Sequence, residues 1–498
     1  MPRVKPGQRQ RARAPKTLGS YSRDVAILTG TSTGRSCDGY EPIPVNASPK
    51  FITVVPVQLR REESRSMQFF CEKTLLQLTS FFKDEFWTRQ VLQVADSENC
   101  IRHSLIALAS YHELYMGHTS LPTRKLNHFA LRHYNLSIGA ILGSKKTPSN
   151  THTHLISCVM FICIEALQKR TQSVLQLVKA GYRMLREYGF HHCSRKTDPN
   201  WPPAKVSDAN STIRYTYNFL RRIVTQLYLV MRDLDPELSS IVSDIMQSHE
   251  QSGSSKFAFE SLSDAQQEIS HMRLQLEQKQ KSNLPRNMNA WFVAFKDFQA
   301  NNEKRHDANS DRRAVALLEL QARFLAVDIA INCTGEQVNH LLWDEYTKEF
   351  DKMLNFAEEA MELRLSRGAA GPTPQFHMHS GTVPVLYGII ARCRDPAIRR
   401  RAVTMMLSQP LREGILDSNV ILGLGRKIMA AEEGSARTPL LVSCSDIPVE
   451  SRVQKVSVAA GTRDNEYMVG YQLGRGWWWE SVECILNYRE PVKSFDCN

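Results

Sequence analysis

A chain of 498 residues that is 42% apolar has material for a sizeable core, which excludes a wholly disordered polymer and sets an expectation of roughly three domains. The eleven cysteines include no C-x-x-C pair, and Met1 to Lys16 is basic and lacks an apolar run, so the thiols read as reduced groups of an intracellular protein with no secretory leader. The most apolar run, LISCVMFICIEAL at residues 155–167, has 13 residues against the ~20 needed to span a bilayer, so no membrane segment is expected.

The net charge of +12 is uneven. Residues 1–60 hold ten Lys or Arg and three Asp or Glu, a net of +7, which leaves +5 for the other 438. Six of these cations (Arg3, Lys5, Arg9, Arg11, Arg13 and Lys16) fall in the first sixteen residues, where no acidic residue stands. Such an arm suits phosphate backbones or an import receptor; a solubilising tail is the other reading. Residues 1–60, rich in Pro, Gly, Ser and Arg, are expected to be a disordered basic arm.

Helical periodicity begins near Met67. In MQFFCEKTLLQLTSFF, Phe70, Leu75, Leu78 and Phe82 recur at helical spacing; Ile101, Leu105, Leu108, His112 and Tyr115 mark one face of a second helix. Phe129, His133, Ile138 and Leu142 mark a third, residues 155–167 a buried helix, and VLQLVKAGYRMLREYG an amphipathic one closed by Gly189. Within the buried run Glu165 is the sole charge, so it is expected near solvent or paired with Lys169 one turn on. After a Pro-rich loop at 191–205, helical patterns resume at 218–234 and at SLSDAQQEISHMRLQLEQKQK, where Ser263 and Gln266 suggest a capping box. Further helices are expected at 290–299, 313–332, 343–363, 383–393, 395–410 and 418–434, with a loop at 366–382. The tail beyond Ser435 reads as irregular, with short strands near Arg452–Val458 and Tyr467–Gln472. The sum is an all-α, multi-helical protein: an arm over 1–60, a helical body over 61–440 and a tail over 441–498.

Catalytic signatures are weak. Gly30-Thr31-Ser32-Thr33-Gly34 matches G-x-S-x-G, and VAIL at 25–28 suits the strand before a nucleophile elbow. The helix that must follow is ruled out by Gly39, Pro42 and Pro44, so Ser32 is not read as a nucleophile. No P-loop occurs; LGLGRK at 422–427 misses G-x-G-x-x-G at Ile428, and His112-Glu113 misses H-E-x-x-H at Met116. His191, His192 and Cys193 are adjacent rather than spaced for a metal, and His377 and His379 read as polar loop residues. The Trp477–Trp479 run reads as a patch packing the tail onto the body, with base or sugar stacking as the lesser alternative. The protein is expected not to be an enzyme.

TSTGRSCDGYEPIP at 31–44 resembles the end of the fungal binuclear zinc cluster, in which six cysteines hold two Zn ions. Cys37 matches the sixth ligand. No cysteine precedes it, and the fifth and fourth ligand positions fall on Gly30 and Ile27. One thiolate cannot hold two Zn, so no cofactor is expected in this chain; a lost upstream coding segment and a true loss of the finger both fit. Residues 67 to about 455 resemble the fungal-specific transcription factor regulatory domain of arginine-metabolism regulator-like proteins. FFKDEFWTRQVLQ, CIRHSLIALASYHELY, FALRHYNLSIGAIL, VMFICIEALQ, VPVLYGIIARCRDPAIRRRAV and LREGILDS carry that resemblance. It implies a nuclear transcription regulator with an incomplete DNA-binding module, or a helical interaction module derived from one. The implied partners are DNA, held weakly and non-specifically by the arm, and transcription machinery or other regulators. A homodimer is allowed, and no membrane partner is implied.

Overall fold

The computed structural model describes residues 59–82, 84–117, 122–143, 150–187, 208–231, 235–250, 257–303, 311–333, 340–362, 373–434, 442–460, 466–473 and 476–483. Contacts divide the chain into Met1–Gln58 and Leu59–Asn498, and every described residue belongs to the second unit. Helices dominate it. No helix among the described residues is long and apolar enough to cross a membrane.

The unit opens with α1 (Arg61–Phe69), which runs through a π-helical turn at Phe70–Thr74 into α2 (Leu75–Leu78). A second π turn at Phe86–Gln90 leads into α3 (Val91–Ser97), followed by α4 (Asn99–Met116), α5 (Thr123–Gly143), α6 (Thr151–Leu167), α7 (Thr171–Glu187), α8 (Asp208–Met231) and α9 (Pro236–Glu250). A first core gathers around α4, α6 and α8. Every residue of α6 from Leu155 to Leu167 is buried, because an element apolar on all sides is stable only inside. On α5 the buried stripe is Leu126, Ala130, His133, Tyr134 and Ser137, rather than the expected one through Leu142, which is 80% exposed.

Next come α10 (Leu262–Glu277), α11 (Leu284–Glu303), α12 (Arg312–Asn332), a 3-10 turn at His340–Tyr346 and α13 (Thr347–Ala360). The capping box of α10 is Ser261 with Asp264, not Ser263 with Gln266: each side chain bonds the other's backbone N–H, at 3.2 and 3.0 Å. Gln266 is instead buried and faces inward. Phe81, Phe82, α10, α11 and α12 build a second core, and α12 to α15 a third.

The chain then forms β1 (Gln375–His377), α14 (Val383–Arg392), α15 (Pro396–Ser408), β2 (Leu411–Glu413), β3 (Leu416–Asp417) and α16 (Ser418–Glu433). β1 pairs parallel with β2, Phe376 opposite Arg412, and β2 turns antiparallel into β3 through Gly414 at φ 58°. Last is an antiparallel meander of β4 (Val453–Ala460), β5 (Glu466–Leu473) and β6 (Gly476–Glu483), one strand more than the tail pattern suggests. Glu432 of α16 anchors it: wholly buried, it accepts from Arg394 at 2.9 Å, from Arg399 and from the Val453 backbone N–H at 2.8 Å.

Glu165 is 4% exposed and does not pair with Lys169; its cation is Arg170, at 3.7 Å, and Tyr134 hydrogen-bonds it. The helix end explains the exchange. Lys169 takes a left-handed conformation (φ 62°), its N–H bonding Ala166 O and the Arg170 N–H bonding Glu165 O, a Schellman closure. That turn swings Lys169 off the helix face onto Asp417, 2.7 Å away, tying α6 to α16.

Phe161 lies in α6 with its ring edge-on to Tyr134, centroids 5.3 Å apart. We predict that Phe161→Ala lowers stability by ~3–5 kcal/mol through the cavity it opens. Thermal unfolding of the full chain measures this, and an unchanged midpoint would remove α6 from the core.

Candidate functional site

Where the three cores meet, the chain buries a non-helical segment, residues 374–382. Buried backbone N–H and C=O groups need partners, and side chains from five directions supply them. Gln77 accepts from the Phe376 N–H at 2.6 Å and donates to Pro374 O at 3.4 Å; Tyr115 donates to Gln375 O. Gln266 and Gln321 both donate to Ser380 O, at 3.2 and 2.7 Å. The Gly414 N–H donates to His377 O at 2.7 Å.

Glu413 closes the segment. One oxygen accepts from the Gly381 N–H at 2.9 Å, the other from the Thr382 N–H at 2.8 Å, and both lie 3.2 Å from the Val383 nitrogen. The carboxyl thus occupies the N-terminus of α14, where these N–H groups lack helical partners. Two glycines make room: a Cβ on Gly381 would strike the Glu413 carboxyl, and one on Gly414 the Gln226 amide. Burial nevertheless outweighs the N–H bonds and pushes the Glu413 carboxyl up to about 7.

The sequence marks His377 and His379 as polar loop residues; the structure buries both, at 2% and 4% exposure. His377 stands edge-on to Phe81 and His379 tilts over Phe82. Burial lowers His377 to about 4, so it is neutral beside Glu413, 3.9 Å away, and the two make no ion pair at neutral pH. His112, read from sequence as one position of a helix face, is wired into the same junction. Its Nε2 lies 3.0 Å from Gln77 Oε1, which only accepts, so Nε2 carries the proton and Nδ1 accepts from Thr74 Oγ1 at 2.9 Å. Burial holds it neutral, down at about 3. Its neighbour Glu113 is clamped by both terminal nitrogens of Arg65, at 2.7 to 3.1 Å, and is no catalytic base.

Other sequence candidates fall elsewhere. Ser32, Cys37, His191, His192, Cys193, Gly189 and the six arm cations lie outside the described residues. The LGLGRK run is part of α16, its Gly425 set against Ile390. Trp477, Trp478 and Trp479 lie on β6, paired with Gln472, Tyr471 and Gly470. Among the described residues no group of three or more His, Cys, Asp or Glu is placed to hold a metal. Sequence reasoning missed Glu413 and Gln226. Each carries the helical or mixed pattern of its surroundings, and no motif sets it apart.

A carboxyl raised from 4.5 to about 7 binds its proton more tightly folded than unfolded. Its contribution is complete below about 4.5 and lost as pH rises through about 7, a fall of up to ~3 kcal/mol. We therefore expect the stability difference between the natural chain and Glu413→Gln to shift in favour of the variant from pH 5 to pH 8. Parallel pH dependence of the two, in denaturant unfolding, would contradict this assignment.

Over 193 residues the chain is 27% identical to the aspercryptin biosynthesis cluster-specific transcription regulator atnN of Emericella nidulans, a match covering 31% of this chain and 30% of that protein. No protein-family profile matches the chain. No solved structure matches it either. The chain is thus similar, over just under a third of its length, to a fungal transcription regulator.

Proposed function

We propose that the protein is a fungal transcription regulator whose helical unit is its regulatory part and whose DNA-contacting part, within residues 1–60, is incomplete. The similarity to a cluster-specific transcription regulator carries this reading. The helical unit agrees with it: His112, His377 and His379 are packed and held neutral by burial, as in a structural junction. The site of action is then the nucleus, and no catalytic role is assigned.

Cys37 stands as the last ligand of a zinc cluster whose other thiolates are missing, so the chain holds no two-zinc centre. DNA contact then falls to Arg3, Lys5, Arg9, Arg11, Arg13 and Lys16, which neutralise phosphates without reading bases. The alternative, a helical interaction module without DNA contact, is favoured by the same missing cysteines.

Two measurements separate these readings. The full chain, tethered to a reporter promoter through a heterologous DNA-binding domain, is expected to change transcription several-fold; output equal to the tether alone would defeat the regulator reading. In solution, DNA binding is expected to weaken with salt at a log–log slope no steeper than about −5 for six phosphate contacts. Deleting residues 1–16 should flatten that slope. A salt-resistant complex with one DNA sequence would show a complete module, and no binding even at low salt would favour the interaction module.

A further inference from the structure

One face of α5 packs on the first core; the opposite face looks outward along the whole of Thr123–Gly143. Two kinds of residue follow one another along that outward face. Its first half carries Arg124, Lys125 and Arg132, all exposed. The helix holds no acidic residue, and no carboxylate among the described residues forms an ion pair with these three cations. Its second half carries Leu136 and Leu142, 43% and 80% exposed. Gly139 and Gly143 share that side by helical spacing, and a Cβ added at either would meet nothing within 4 Å. Of the nine exposed large apolar side chains among the described residues, α5 holds three, Leu131 with Leu136 and Leu142, so the apolar exposure is concentrated here. Where the two halves meet, the start of α1 and α5 leave a cleft of about 190 Å³ whose lining includes Phe129, Arg132 and Leu136.

The charge selects what covers this face. A second copy would set cations against cations or against leucines. Nucleic acid would meet the cations and leave the leucines in water. A membrane surface needs cations and apolar residues divided around a helix, not along it. The longer undescribed stretches of this chain, 1–58, 188–207, 363–372 and 484–498, are neutral or basic in sequence and do not supply the acids. A helix from another protein, with carboxylates at one end and apolar residues at the other, satisfies both halves and can seat one side chain in the cleft.

We propose that the outward face of α5 docks an acidic amphipathic helix of a partner protein, its carboxylates on Arg124, Lys125 and Arg132 and its apolar residues on Leu136 and Leu142. This goes beyond the regulator reading and rests on the face alone. An inert reporter leaves it standing, and a silent titration leaves the regulator reading standing.

The probes are two labelled peptide helices of the length of α5, with the same leucine row and either glutamate or lysine at the other positions. Each is titrated with the full chain and followed by fluorescence anisotropy. The glutamate peptide should bind saturably and more weakly as salt rises; the lysine peptide should not bind. Lys125→Glu combined with Arg132→Glu should reverse that preference. Leu136→Asp should weaken the glutamate peptide at least about tenfold. These positions are exposed, so the variants keep the natural thermal midpoint and a lost response reads as lost docking. The proposal is overturned if the glutamate peptide does not bind, if the two peptides bind alike, or if charge reversal leaves the preference unchanged. Self-association of the full chain that Leu136→Asp abolishes would overturn it too, by making a second copy the occupant.

Discussion

A carboxyl group at the end of a helix holds this molecule's centre together. Glu413 takes the first N–H groups of α14, and by doing so fixes β2 against the turn that follows β1. The segment it closes touches all three large cores: Phe376 and Met378 belong to the first, Phe81 and Phe82 of the second pack on its histidines, and Val383 starts the third. A non-helical strand at such a place satisfies none of its own polar groups, so Gln77, Tyr115, Gln266 and Gln321 must each arrive with correct geometry. The helices that carry these side chains are therefore fixed relative to one another by hydrogen bonds as well as by apolar packing.

The same logic governs the buried charges. Glu432, Asp417 and Glu165 all lie inside, and each is met by a cation: Arg394 and Arg399, Arg412 and Lys169, and Arg170. Most of these pairs join elements distant in sequence, so they fix register more than they add net stability. Glu432 is the clearest case, since its carboxylate also takes the first N–H of β4 and thereby sets the C-terminal sheet on α16. The polar contacts of the junction tie three packed cores together.

The amino-acid sequence by itself determined where most helices run, because a 3.6-residue apolar period is a local property and survives any tertiary arrangement. The burial of α6 followed from its all-round apolar surface. The tertiary structure alone decided the junction. His377 and His379 lie in a Pro-, Gly- and Ser-containing stretch without helical period, between Phe376, Met378 and Ser380; the rings that pack on them are Phe81 and Phe82, nearly 300 residues earlier. The β1–β2 pairing joins strands separated by two helices, and three-residue strands carry too little alternation to be read. Glu165 found Arg170 instead of Lys169 because the helix ended in a left-handed turn, and that turn freed Lys169 to meet an aspartate some 250 residues away. Periodicity reports which face of an element is apolar; it carries no information on which distant element will cover that face, and a polar side chain becomes a structural contact only when that choice is made.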